Sequence, residues 1–252
     1  MNDGPVESQA ARVGPWGLPA TIGFALLVGA VYMLLQFAVL VILVGIGGHP
    51  KGPAAGAHGM ASLRNYGDVL TFGLLGSAIG AGTLLLLIVR ARRGLAAGDY
   101  LAWRRISFPA IAFWLGTLVL YVLAWEFLAS FFGREQIPGF MRSAYTSASF
   151  IPLLWIAIIF VAPLFEELFF RGFLFAGIAA SRLGATGAVI LTAGLWAGLH
   201  MQYDLYDMTS VFLLGLLFGM ARLRSGSLWP SLSMHMLANL VATVETAAKL
   251  MR

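Results

Sequence analysis

The 252-residue chain has no cysteine, and only 11% of its residues are charged. Without thiols there are no disulfides, iron–sulfur clusters or cysteine nucleophiles, and a zinc site would have to be built from His and carboxylates alone. The charged share is less than half the roughly 25% of an ordinary soluble domain. No basic stripe interleaved with exposed aromatics accompanies the net charge of +5, so nucleic acid is not an expected partner. The sequence also lacks internal repeats, low-complexity segments and any His-Glu-x-x-His pair. Nothing in it reads as a cleavable signal: residues 1–17 are polar, carry Asp3, Glu7 and Arg12, and precede an apolar block far longer than a signal h-region.

What is present is apolar sequence, 60% of the chain, in blocks long enough to span lipid. The expected fold is an all-α, polytopic transmembrane bundle of about seven spans: Leu18–Ile46, Val69–Val89, Phe108–Phe132, Ile151–Ala180, Ala185–His200, Met208–Ala221 and Leu228–Leu250. The fifth and sixth are short. Residues 1–17 form a polar tail, 18–148 the N-terminal helices and loops, and 149–252 a membrane domain with the chemistry in its last four helices. The connection from Arg90 to Arg105 holds five arginines against Asp99, which places it in the cytoplasm. Arg182 and the Arg222/Arg224 pair then fall inside. Asp204 and Asp207, with no basic neighbour in sequence, fall outside, while Lys249 and Arg252 go against the rule. The N-terminus is expected in the cytoplasm, and the membrane is expected to be a bacterial cytoplasmic one. Glycines four apart (Gly76/Gly80, Gly194/Gly198, Gly215/Gly219) suit close helix packing within the bundle.

The informative residues are the polar ones inside apolar helices. Glu166, Glu167 and Arg171 interrupt an otherwise apolar run, and each charge near a bilayer centre costs about 2.5–3.5 kcal/mol on insertion scales. Glu167 and Arg171 are four apart and pair on one helical face. Glu166 is turned about 100° away and has no local countercharge, which makes it the candidate base. Trp196-Ala-Gly-Leu-His200 brings an imidazole near the end of the fifth span, and His235-Met-Leu-Ala-Asn239 puts a second imidazole and an amide on one face of the last. Glu166 with two imidazoles can hold and activate a water. Asn239 and one imidazole can donate to the oxyanion of an attacked peptide bond. His49 and His58, in a Gly/Pro-rich loop, read as solvated. Glu126 reads as reaching headgroups, and Tyr203, Asp204, Tyr206 and Asp207 as an interfacial cap.

The succession Glu-Glu-x-x-x-Arg, aromatic-x-x-x-His and His-x-x-x-Asn, within about a hundred residues from Ile151 to Ala248, resembles the CPBP (Abi) family of CAAX-processing and bacteriocin-processing intramembrane endopeptidases. The first three spans match nothing beyond being membrane helices, and Trp196 stands where Phe is more frequent. The resemblance implies that Glu166 is the general base, that His200 helps hold the water, and that His235 and Asn239 form the oxyanion site. Glu167, Arg171 and Trp196 would support them. It also implies hydrophobic or lipidated (CAAX-like) peptides as substrates, met among membrane lipids, and no cofactor. Two alternatives stay open: zinc held by Glu166, His200 and His235, and a non-enzymatic permease or bacteriocin-immunity protein. The absence of duplicated halves weighs against a permease.

Overall fold

The computed structural model describes residues 13–47, 65–134 and 137–251, and they are all-helical. Nine helices are numbered here in chain order: α1 Leu18–Gly47, α2 Tyr66–Ala91, α3 Ala97–Tyr100, α4 Phe108–Phe131, α5 Gly139–Ser147, α6 Ile151–Ala179, α7 Gly184–Gly198, α8 Leu205–Ser225 and α9 Trp229–Leu250. His49 and His58 lie outside the described residues.

Five helices are long and apolar enough to cross a membrane, namely α1, α2, α4, α6 and α8, so the chain is a multi-pass membrane protein. Each of the seven expected spans has a helix, but two do not meet that description. The 15 residues of α7 rise only about 22 Å, short of a hydrocarbon core of about 30 Å. α9 has the length, at 22 residues, but carries His235, Asn239, Glu245 and Lys249. The sixth span is longer than its apolar run because its ends are capped: the Asp204 carboxylate accepts from the Asp207 N–H, and Gly226, at φ 65°, closes the other end. The polar stretch before α6 contains the short helix α5.

Lipid-facing positions are apolar and exposed, as Phe108, Leu120, Phe127 and Leu26 are. The core lies between α1, α2, α6, α8 and α9, around Val28, Leu85, Phe173, Phe218 and Met234. Packing through small residues follows the sequence at Gly215 and Gly219. A Cβ on Gly215 would lie 3.0 Å from the Ala193 backbone, and one on Gly219 would lie 3.1 Å from Val189, so α8 and α7 touch almost backbone to backbone. Gly80 likewise faces the Leu35 side chain of α1. Gly198 meets nothing within 4 Å.

The two ends of the bundle are chemically distinct. At one, Arg92 Nε donates to the Gly14 carbonyl (3.0 Å), Ser227 Oγ to the Arg104 carbonyl (2.5 Å), and the Leu228 N–H to the Ala102 carbonyl (2.9 Å). The arginine-rich connection therefore sits beside the start of α9. At the other end, Arg134 pairs with Asp204 and stacks over Tyr206. Asp204 does have a basic neighbour, then; it comes from 70 residues away and so was invisible to local charge counting.

α6 is the irregular member. Ala157–Val161 and Leu168–Leu174 are wound as π-helix, on either side of the α-helical turn Ala162–Glu167. π turns inside α-helices concentrate at functional sites. Proline accounts for the first. The Ala162 N–H bonds the Ala157 carbonyl, five residues back, so the next bond in that pattern would run from residue 163 to Ile158. Pro163 has no N–H to give. The carbonyl left over is taken by Asn239 of α9, whose Nδ2 donates to it at 2.8 Å. At the second π segment the Phe175 N–H bonds Phe170 rather than Arg171, and the Arg171 carbonyl accepts from Arg222 Nε of α8 at 3.1 Å. Side chains of two other helices thus occupy carbonyls at both distortions.

Candidate active site

Between these two π segments lie Glu166 and Glu167. Glu167 and Arg171 are fully buried, and Arg171 Nη1 donates to Glu167 Oε1 at 2.9 Å, as the four-residue spacing predicts. Arg171 Nη2 also donates to the Gly215 carbonyl at 3.2 Å, and the guanidinium lies over the rings of Trp196 (4.7 Å) and Phe218 (5.4 Å). These contacts compensate the cost of taking a cation out of water.

His235, only 3% exposed, reaches the same carboxylate: its Nδ1 is 3.0 Å from Glu167 Oε1. A carboxylate already paired with Arg171 is an acceptor, so Nδ1 carries a proton, and in the neutral tautomer Nε2 is left as a lone pair. That Nε2 faces Glu166 Oε2 at 3.8 Å. The gap is too long for a hydrogen bond and short enough for one water, at about 2.8 Å from each, to touch both groups.

Glu166 keeps one-fifth of its side chain exposed, against none for Glu167. Among the described residues no lysine or arginine pairs with it. Its Oε2 accepts from Trp196 Nε1 at 2.5 Å. A buried indole needs an acceptor for its N–H, and Glu166 is that acceptor, a role that the Phe more frequent at this position could not fill. The Trp196 ring packs edge-on against both His200 and His235, with centroids 5.0 Å from each.

His200 lies just beyond the end of α7. Its Nδ1 is 2.8 Å from the Trp196 carbonyl. A carbonyl can only accept, so Nδ1 carries a proton here too, and in the neutral tautomer Nε2 is left as a lone pair. Tyr203 stacks on it at 5.9 Å. Burial, followed by the charges of Asp207 and Glu166, pushes the Tyr203 phenol well above its ordinary value, so it stays a neutral donor. Glu166, Glu167, Arg171, Trp196 and His235 are therefore one connected cluster, with His200 joined to it through Trp196. Asn239 stands apart: its hydrogen bond goes to Ile158, leaving its second amide hydrogen uncommitted.

The donor set fits a metal poorly. Among the described residues no three His, Asp or Glu side chains are gathered to hold one. The Trp196 indole also occupies Oε2 of Glu166. The zinc alternative built on Glu166, His200 and His235 is disfavoured on that geometry.

No curated protein and no solved structure matches the chain. Residues 148–241, which contain every residue of this cluster together with Asn239, match the family model described as type II CAAX prenyl endopeptidase Rce1-like, in line with the resemblance carried by the three motifs.

Proposed function

We propose that the protein is an intramembrane endopeptidase in which Glu166 activates the hydrolytic water. One observation carries this reading. The Glu166 carboxylate, without a paired cation, faces the Nε2 of His235 across a one-water gap beside the fully buried Glu167–Arg171 pair. Glu166 takes a proton from the water as its oxygen attacks the peptide carbonyl. His235 Nε2, a lone pair in the resting tautomer, becomes an oxyanion donor once Glu166 passes that proton to it. The free amide hydrogen of Asn239 is the second donor, and His200 Nε2 helps hold the water. The proton passed to His235 then goes to the departing amine, and the water's second proton, shed by the new carboxylic acid, follows it, so one water is consumed and a carboxylate and an ammonium result. Glu167 and Arg171 fix the tautomer of His235, and Trp196 orients Glu166. The substrates that suit a site within lipid, and that the matched family suggests, are hydrophobic or lipidated peptide segments of CAAX type.

The test compares membrane proteomes from cells expressing the wild-type protein and Glu166→Gln. Gln keeps an acceptor for the Trp196 N–H, so insertion and thermal stability should be unchanged, while a peptide bond cut by the wild type should be cut about 10²–10⁴-fold more slowly. Cleavage at the wild-type rate by the Gln variant refutes the assignment. Full activity in chelator separates this mechanism from a zinc-dependent one.

A further inference from the structure

At the arginine-rich end of the bundle, away from the Glu166 cluster, a cavity of about 380 Å³ opens between the α2–α4 connection, α6 and α8. Arg104 and Arg222 line it together with the apolar Ala176, Ala179 and Leu95. The single carboxylate in the lining, Asp99, is paired with Arg104 at 3.0 Å on the surface, which leaves the cavity with one positive charge in excess. That excess is Arg222. Its Nε is used by the Arg171 carbonyl and its face is laid over Phe175 at 5.0 Å. Among the described residues nothing accepts from its two terminal nitrogens.

We propose that this cavity binds the phosphate headgroup of an anionic membrane lipid. A guanidinium whose Nε and ring face are immobilised presents its terminal N–H groups as a fixed fork, the geometry that phosphate oxygens match. Arg104, also in the lining, supplies a second donor by exchanging Asp99 for the ligand. The apolar wall of Ala176, Ala179 and Leu95 would be wasted on a free ion but suits the glycerol and first methylenes of a lipid. The position also fits, because Arg222 lies in the last turn of a membrane-crossing helix, at headgroup depth.

The experiment is native mass spectrometry of the purified full-length protein in mixed micelles, titrated separately with dioleoylphosphatidylglycerol, dioleoylphosphatidylcholine and inorganic phosphate. One phosphatidylglycerol should be retained about tenfold more tightly than phosphatidylcholine, and inorganic phosphate should not compete at equal concentration. Arg104→Gln, on the exposed rim, should weaken the phosphatidylglycerol about fivefold, the usual effect of one arginine near a headgroup. Arg222→Lys, which keeps the charge but not the fork, should lose more. If Arg222→Lys does not fold, Arg104→Gln alone decides. Equal retention of both lipids, competition by inorganic phosphate, or an Arg104→Gln variant with undiminished preference would each overturn the assignment.

Discussion

Asn239 has two roles that one double-mutant cycle can separate. In the first, its amide replaces the hydrogen bond that Pro163 cannot give to the Ile158 carbonyl, at 2.8 Å. In the second, its other hydrogen donates to an oxyanion. A carbonyl left unsatisfied away from water costs about 1–3 kcal/mol. Side-chain hydrogen bonds measured within membrane bundles average about 0.6 kcal/mol and reach about 1.7. The Ile158–Asn239 contact is only part-buried, so Asn239→Ala should cost about 1–2 kcal/mol. Pro163→Ala restores an N–H five residues after Ile158, in π register. In that background Asn239→Ala should cost less than about 0.5 kcal/mol, since the carbonyl already has a partner. Unfolding by SDS in bicelles gives the four stabilities, and peptide cleavage is followed in parallel. Activity should fall about 10²–10³-fold whenever Asn239 is absent, whichever residue stands at 163. An equal stability cost in both backgrounds would refute the argument from the missing proline N–H. Rescue of cleavage by Pro163→Ala would refute the oxyanion role.

Arg171→Ala leaves Glu167 buried with His235 alone and should cost about 3–5 kcal/mol, read as a fall of about 6–20 °C in melting temperature; Glu167→Gln combined with Arg171→Met should recover most of it, and failure to do so would mean that the pair is more than charge compensation. Gly67→Ala puts a Cβ 2.5 Å from the Ala148 nitrogen and against the Ala144 carbonyl, all backbone, so α5 must move and stability should drop by at least about 1–3 kcal/mol in the same unfolding assay. At Asp204, the Asp207 N–H and then Arg134 hold the carboxyl below its ordinary value. An acid depressed on folding stabilises above its unfolded pKa and loses that contribution as the pH falls through the folded one. The advantage of wild type over Asp204→Ala, about 0.5–2 kcal/mol for a helix cap, should therefore be full above about pH 4 and shrink on further acidification in melts from pH 7 to 3.

Much of the scaffold was legible because lipid leaves a coarse signature: long apolar runs, with charges only where something answers them. The Glu167–Arg171 pair was legible because helical geometry alone brings residues four apart together. The bond from His235 to Glu167 was not, since it depends on how α9 is rotated against α6 across 68 residues. The π segments were hidden for a different reason. They change hydrogen-bond register without changing the apolar pattern, and Pro163 was the one local sign of them. The length of α8 was misjudged because Asp207, Arg222 and Arg224 read as loop residues, whereas the caps at Asp204 and Gly226 extend the helix through them.

Because α7 stops about 8 Å short of a full crossing, the acyl chains beside it must shorten or splay, at a fraction of a kcal/mol for each Å of mismatch. That elastic load falls on the flank where the helix ends at His200. On the proposed function, an extended peptide in the leaflet would reach solvent at this dimple, next to His200. If the protein cleaves such a chain, the thickness of the host bilayer becomes a control on how easily that chain leaves lipid.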